Sequence, residues 1–196
     1  MSMTWRIFTI VVFVAVACVL AALPAAAAPT AGITITVTIS NLSVTVTDGA
    51  IGFGTVSFGS NTVNGEKQVV TNNGNVAETY TIRSTAADLL TVGETETAAG
   101  ANTFVLQALF TGSAGVAPAS GDFGADAGTA DDVVKSSGAQ TASATTYAWT
   151  GSTANGSSVP ATGVRDLYFK YSAPTSDSVT GGAQEDLTVT VTATAA

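Results

Sequence analysis

The sequence contains no histidine. That removes the commonest general base at neutral pH and the commonest ligand of transition metals. It contains a single cysteine, Cys18, inside an apolar N-terminal run. Beyond that run there is no thiol for a disulfide, a nucleophile or a metal. Positive charge is also scarce, with 6 Lys and Arg against 14 Asp and Glu. Arg6 stands near the N-terminus, which leaves Lys67, Arg83, Lys135, Arg165 and Lys170 for the rest of the chain. So acidic a surface excludes nucleic acid and anionic membrane as partners, because both reward basic patches. Charged residues make up only 10% of the chain, yet 46% is apolar and clearly patterned. Low charge combined with that much apolar content describes a chain that buries a core, not a disordered one.

Residues 1–27 read as a helical secretion signal. Arg6 is its one charge, Ile7 to Leu23 is apolar apart from Thr9, and Pro24 ends any helix. Ala25-Ala26-Ala27 supplies the small residues at which a signal peptidase cuts, and a cut after Ala28 would leave the unfavourable Pro29 at the new terminus. Cys18 follows Ala15 where a lipoprotein signal would carry a Leu-like residue, so lipidation is not expected. The expected product is residues 28–196, one domain, secreted or held at the cell surface, with no membrane contact once the signal is removed.

What remains is dominated by short alternating runs. Ile33-Thr34-Ile35-Thr36-Val37-Thr38-Ile39 alternates strictly between apolar and Thr, and Leu187-Thr188-Val189-Thr190-Val191-Thr192 repeats the pattern near the C-terminus. Period two with β-branched residues on both faces is the signature of a half-buried strand. Ser40-Asn41 marks a bend, after which Leu42–Thr47 alternates again, up to an Asp48-Gly49 turn. Further strands are expected at Ala50–Phe58, Glu66–Thr71, Val76–Ser84, Thr103–Thr111 and Val164–Ser172. Weaker ones are expected at Asp131–Lys135 and Thr145–Thr150. The run around Phe104–Phe110 is the most apolar and reads as a central strand. Gly/Ser-rich stretches near 112–130 and 151–163 read as long loops. About nine to ten short strands with turn signals between them and no βα alternation predict an all-β fold, an antiparallel Greek-key β-sandwich.

Two stretches carry a resemblance. Ile51-Gly52-Phe53-Gly54-Thr55-Val56-Ser57-Phe58-Gly59, followed by Val69-Val70-Thr71-Asn72-Asn73-Gly74-Asn75, resembles the immunoglobulin-like domains of microbial surface proteins. Leu167-Tyr168-Phe169-Lys170-Tyr171-Ser172-Ala173-Pro174 with its final Thr/Val strand resembles secreted bacterial and archaeal β-sandwich proteins. In architecture the chain is similar to TasA/camelysin-type and archaeal bundling-pilus subunits, in which an N-terminal strand completes a neighbour's sheet. The resemblance lies at the level of the fold: it implies an Ig-like sandwich, names no catalytic residue and says little about function.

Candidate chemistry is thin. Lys135-Ser136-Ser137 could form a Ser–Lys pair, but reads more simply as a polar loop. Glu66, Glu78, Glu94, Glu96 and Glu185 could supply the two carboxylates of a glycosidase, but no aromatic cluster accompanies them. Calcium is the metal that the oxygen-rich loop holding Asp122, Asp126, Asp131 and Asp132 would suit, although the spacing matches no EF-hand. Otherwise no cofactor is expected. Tyr147, Trp149 and Tyr168 could stack on a sugar, although a core tryptophan is commoner. Asn41-Leu42-Ser43 and Asn155-Gly156-Ser157 match glycosylation sequons. Lys67 or Lys170 could form a lysine–asparagine cross-link.

The reading is therefore a non-enzymatic structural or surface protein. Its most specific candidate feature is the N-terminal run, with Ile33, Ile35, Val37 and Ile39 as an assembly strand that fills the core of a neighbouring copy by β-strand addition. The alternative is an adhesion module that binds a surface glycan or receptor. Partners are accordingly other copies of the chain, or other surface proteins and glycans.

Overall fold

The computed structural model describes residues 36–47, 49–113, 116–124, 132–149, 152 and 154–196. The chain divides into two units, Met1–Thr38 and Ile39–Ala196. The signal segment and the residues Ile33 and Ile35 lie outside the described residues. Of the first unit only 36–38 are described, and they are exposed and outside any strand.

Among the described residues the second unit is all-β, with nine strands and no helix. They are β1 (Val44–Thr47), β2 (Asn61–Val63), β3 (Gln68–Asn72), β4 (Glu78–Ser84), β5 (Thr91–Val92), β6 (Thr103–Gly112), β7 (Gln140–Thr141), β8 (Val164–Ser172) and β9 (Val189–Ala195). The larger sheet runs β1-β3-β8-β6-β5, with β2 also paired to β8. The smaller sheet runs β7-β4-β9. Every strand pair is antiparallel except β5–β6, which is parallel.

The alternation in the sequence becomes the two faces of each strand. In β8, Leu167, Phe169 and Tyr171 face a core shared with the smaller sheet, while Tyr168 turns to the opposite side. In β4, Glu78, Tyr80, Ile82 and Ser84 are buried and the residues between them are not. β6 is buried on both faces. Phe104, Leu106, Ala108 and Phe110 enter the main core, while Leu109 meets Phe123 and Tyr168 on the outer side. Two-sided burial explains why β6 is apolar on both faces, with Gln107 the one polar residue between Phe104 and Phe110.

Four expected strands take other forms. Ala50–Phe58 is irregular because Gly49, Gly54 and Gly59 adopt φ of 61°, 63° and 67°, outside the range a strand can use. The runs near 133 and 148 contribute isolated bridges to β6, Gln107 with Val133 and Phe110 with Ala148, and no extended ladder. The N-terminal run shows no strand over its described residues 36–39, and regular pairing begins at Val44.

Candidate assembly site

Five strands pair with a single neighbour among the described residues, and the longest of them are β1 on the larger sheet and β9 on the smaller. The backbone of each edge can be assigned from its neighbour. Thr85 N–H donates to the Thr188 carbonyl at 2.8 Å, and Ala196 N–H donates to the Ala77 carbonyl at 3.1 Å. In an antiparallel ladder hydrogen-bonded pairs alternate. The even-numbered residues of β9 therefore bond to β4, and Val189, Val191 and Ala193 turn their N–H and C=O groups to the open side. These same residues pack their side chains against the core. On β1, Asn73 N–H donates to the Ser43 carbonyl at 2.6 Å and Asn75 N–H to the Asn41 carbonyl at 3.1 Å. By the same alternation Val44 and Val46 present free backbone groups.

A cavity of about 900 Å³ opens beside these edges, lined by Val46, Leu167, Phe169, Tyr171, Val189 and Val191 among others. The irregular segment after β1 forms part of its wall through Ile51 and Phe53. The Phe53 ring lies tilted against that of Tyr171 with centroids 5.4 Å apart, and Tyr171 in turn stacks on Phe104 at 5.2 Å. Another part of the wall is the turn at Asp177. There the carboxylate accepts from Val179 N–H at 2.9 Å, from Thr180 N–H at 2.8 Å and from the Thr180 hydroxyl. Those hydrogen bonds, led by the Thr180 hydroxyl, hold the Asp177 pKa down to about 2.

The chain joins the larger sheet through a polar clamp. Asn75 Oδ1 accepts from Asn41 N–H at 2.7 Å, and Asn75 Nδ2 donates to the Ile39 carbonyl at 2.8 Å. Beside it, Ser43 N–H donates to Oε1 of the fully buried Glu78 at 2.6 Å. Gly74 permits this approach, because a Cβ there would lie 2.3 Å from the Asn41 carbonyl oxygen and 2.6 Å from Glu78 Oε1. The turn Asn72–Asn75 was legible in the sequence as a turn. Its use of an asparagine side chain in place of a strand partner was not.

Of the proposed assembly residues, Val37 and Ile39 are 78% and 80% exposed. Exposure there does not depend on parity: every residue from Thr36 to Leu42 is exposed, and partial burial begins at Ser43 and Val44.

No family model, no curated protein and no solved structure matches this chain.

The other candidates are dispersed. Ser136 and Ser137 both bind Glu94 through N–H and hydroxyl, at 2.7 to 3.2 Å. Burial pushes the Glu94 carboxyl up, but the hydroxyls of Ser137 and Ser136 and their N–H groups outweigh it and hold it below the usual range. Glu185 accepts from Leu89 N–H, and Lys67 forms a 2.8 Å ion pair with Asp166. Lys170 lies 5.9 Å over the Phe123 ring. In the acidic loop, Asp122 accepts from Ala119 N–H and the buried Asp132 from Gly124 N–H. Asp126 and Asp131 lie outside the described residues. Among the described residues no group of three or more Asp, Glu, His or Cys could hold a metal ion. Tyr147 and Tyr168 are buried and Trp149 is half-buried against Leu109, Phe123 and Tyr168, so the three rings form no common exposed platform.

Proposed function

We propose that this chain is a secreted, non-enzymatic structural protein of the cell surface, a filament or matrix subunit that assembles by β-strand addition. Its two sheets are read as one Ig-like Greek-key sandwich, and residues 1–27 as a signal removed on export. The observation that carries the reading is the outward-facing pair Val37 and Ile39, 78% and 80% exposed, on a run with the composition of a core strand. Fully burying one such side chain is worth roughly 1.5–3 kcal/mol. Val37 and Ile39 in solvent favour a partner that supplies both a sheet edge and an apolar surface. Main-chain hydrogen bonds would give affinity, and alternate side chains in pockets would give specificity.

Electron microscopy of the purified exported protein tests this directly. Filaments or sheets are expected. Deleting residues 28–39 should leave a folded monomer that no longer assembles. A wild-type protein that stays monomeric at high concentration, or a deletion variant that assembles unchanged, overturns the reading. Glycan binding lost in Trp149→Ala by such a monomer would instead favour the adhesion module.

A further inference from the structure

We infer that the cavity lined by β6, β8 and β9 is a binding site for an amphipathic organic cation, a quaternary ammonium head carried on an apolar body. The site does not depend on the assembly reading above. Three observations select the ligand.

The first is size and floor. The cavity holds about 900 Å³. Pockets that enclose most of a small organic ligand run from roughly 300 to 1,000 Å³. Leu106 and Leu167 line it from the larger sheet, and Val189 and Val191 from the smaller. A floor of aliphatic side chains suits the apolar body of a ligand, which leaves water on entering.

The second is the aromatic wall. Phe53, Phe58, Phe104, Phe169 and Tyr171 all line the cavity. Tyr171 lies between Phe53 and Phe104, so these rings form one continuous array. Phe58, 63% exposed, stands on the solvent side. The face of an aromatic ring is electron-rich and attracts cations, and rings arranged around a pocket are a common means of holding quaternary ammonium groups.

The third is charge. Asp177, Glu185 and Asp186 line the cavity, and none of its lining residues is Lys or Arg. An anionic ligand would find carboxylates there and no counter-charge. Glu185 acts on the aromatic array: burial, and after it the Glu185 carboxylate, push the Tyr171 phenol up. The carboxylates already accept hydrogen bonds from within the chain. Asp177 accepts from the N–H groups of Val179 and Thr180, Glu185 from Leu89 N–H at 3.0 Å, and Asp186 from the Gln184 amide at 2.7 Å. What they offer a ligand is charge more than open acceptor sites. A quaternary ammonium head has no N–H to satisfy and needs only charge and aromatic faces. A primary amine would need an acceptor for each of its hydrogens.

Titration calorimetry of the purified exported protein with octyltrimethylammonium, below the concentration at which it forms micelles, tests the site. Octanol, octylamine and octyl sulfate serve as comparisons. The trimethylammonium compound should bind in a saturable way, about tenfold tighter than octanol, tighter than octylamine, and without measurable binding of octyl sulfate. Its chemical-shift changes should centre on Leu187, Val189 and Val191. Glu185→Gln combined with Asp186→Asn keeps an acceptor for Leu89 and should weaken that compound about tenfold while leaving octanol unchanged. Phe53→Leu keeps apolar bulk without the ring and should weaken it roughly severalfold. Added salt should act in the same direction as the neutralised variant, a readout that requires no variant to fold. The inference is overturned by a lack of saturable binding, or by octanol, octylamine or octyl sulfate binding as tightly as the trimethylammonium compound. Shifts confined to residues outside the cavity overturn it too, as does an affinity indifferent to both salt and the change of Glu185 and Asp186.

Discussion

Asn75 brackets Asn41, taking its N–H on the side-chain oxygen at 2.7 Å and giving its own N–H to the Asn41 carbonyl at 3.1 Å. With the Asn75 Nδ2 bond to Ile39, one residue stands in for a strand where β3 has already ended. Ile39 and Asn41 are thus both bonded to the turn that follows β3. Asn75→Ala removes two of the three bonds. The expected local loss is about 1 kcal/mol. Hydrogen exchange should quicken at Asn41, while the global unfolding midpoint stays close to wild type. Unchanged exchange at Asn41 would show that the clamp holds nothing.

Glu78 is fully buried and accepts from Ser43 N–H across 35 residues of sequence. Glu78→Ala strips that donor of its acceptor and should cost about 1–3 kcal/mol in denaturant unfolding. Glu78→Gln keeps a carbonyl oxygen for Ser43 and should lose clearly less. Equal losses would mean that the side chain serves only as filler.

Tyr80 is fully buried against Phe110, with ring centroids 5.7 Å apart, and its hydroxyl has no hydrogen-bond partner among the described residues. Burial, helped by Glu78, pushes its pKa up to about 12, so the phenol is neutral at ordinary pH. Tyr80→Phe removes an unsatisfied polar atom and keeps the ring. It should match or exceed wild-type stability, by up to about 1 kcal/mol. A clear drop in thermal midpoint would reveal a partner for the hydroxyl.

Asp177 is held at a pKa of about 2 by the hydrogen bonds of its own turn. A depressed carboxyl favours the charged, folded form. Its contribution is therefore complete above the ordinary aspartate range and is lost as pH falls through the folded value. The turn beside the cavity should loosen between about pH 4 and 2. Asp177→Asn should flatten that part of the stability–pH curve. A variant as acid-sensitive as wild type would assign the loss to other carboxylates.

Much of the fold was legible in the sequence because burial writes a period of two. The faces of β8 and the inward row of β4 follow their alternation directly. The apolar run at β6 was correctly read as interior, since a strand covered on both sides needs no polar face. Ala50–Phe58 misled for a definite reason. Its apolar residues do meet the core through Ile51 and Phe53, but positive φ at three glycines prevents a ladder. Local pattern reports which side chains are buried, and backbone pairing is a separate condition. The cavity was not legible at all. Its walls come from β1, β8, β9 and the Asp177 turn, which share no sequence signal.

The sequence by itself determined an all-β body without histidine, and marked Ile33–Ile39 as an alternating apolar/Thr run. Tertiary structure decided where the chain joins the larger sheet. Asn75 and Glu78, brought from more than 30 residues away, bond Ile39, Asn41 and Ser43, and partial burial begins at Ser43 and Val44 while Ile39 stays exposed. Side-chain alternation is a local property of the chain, whereas which face meets a core depends on what lies across the sheet.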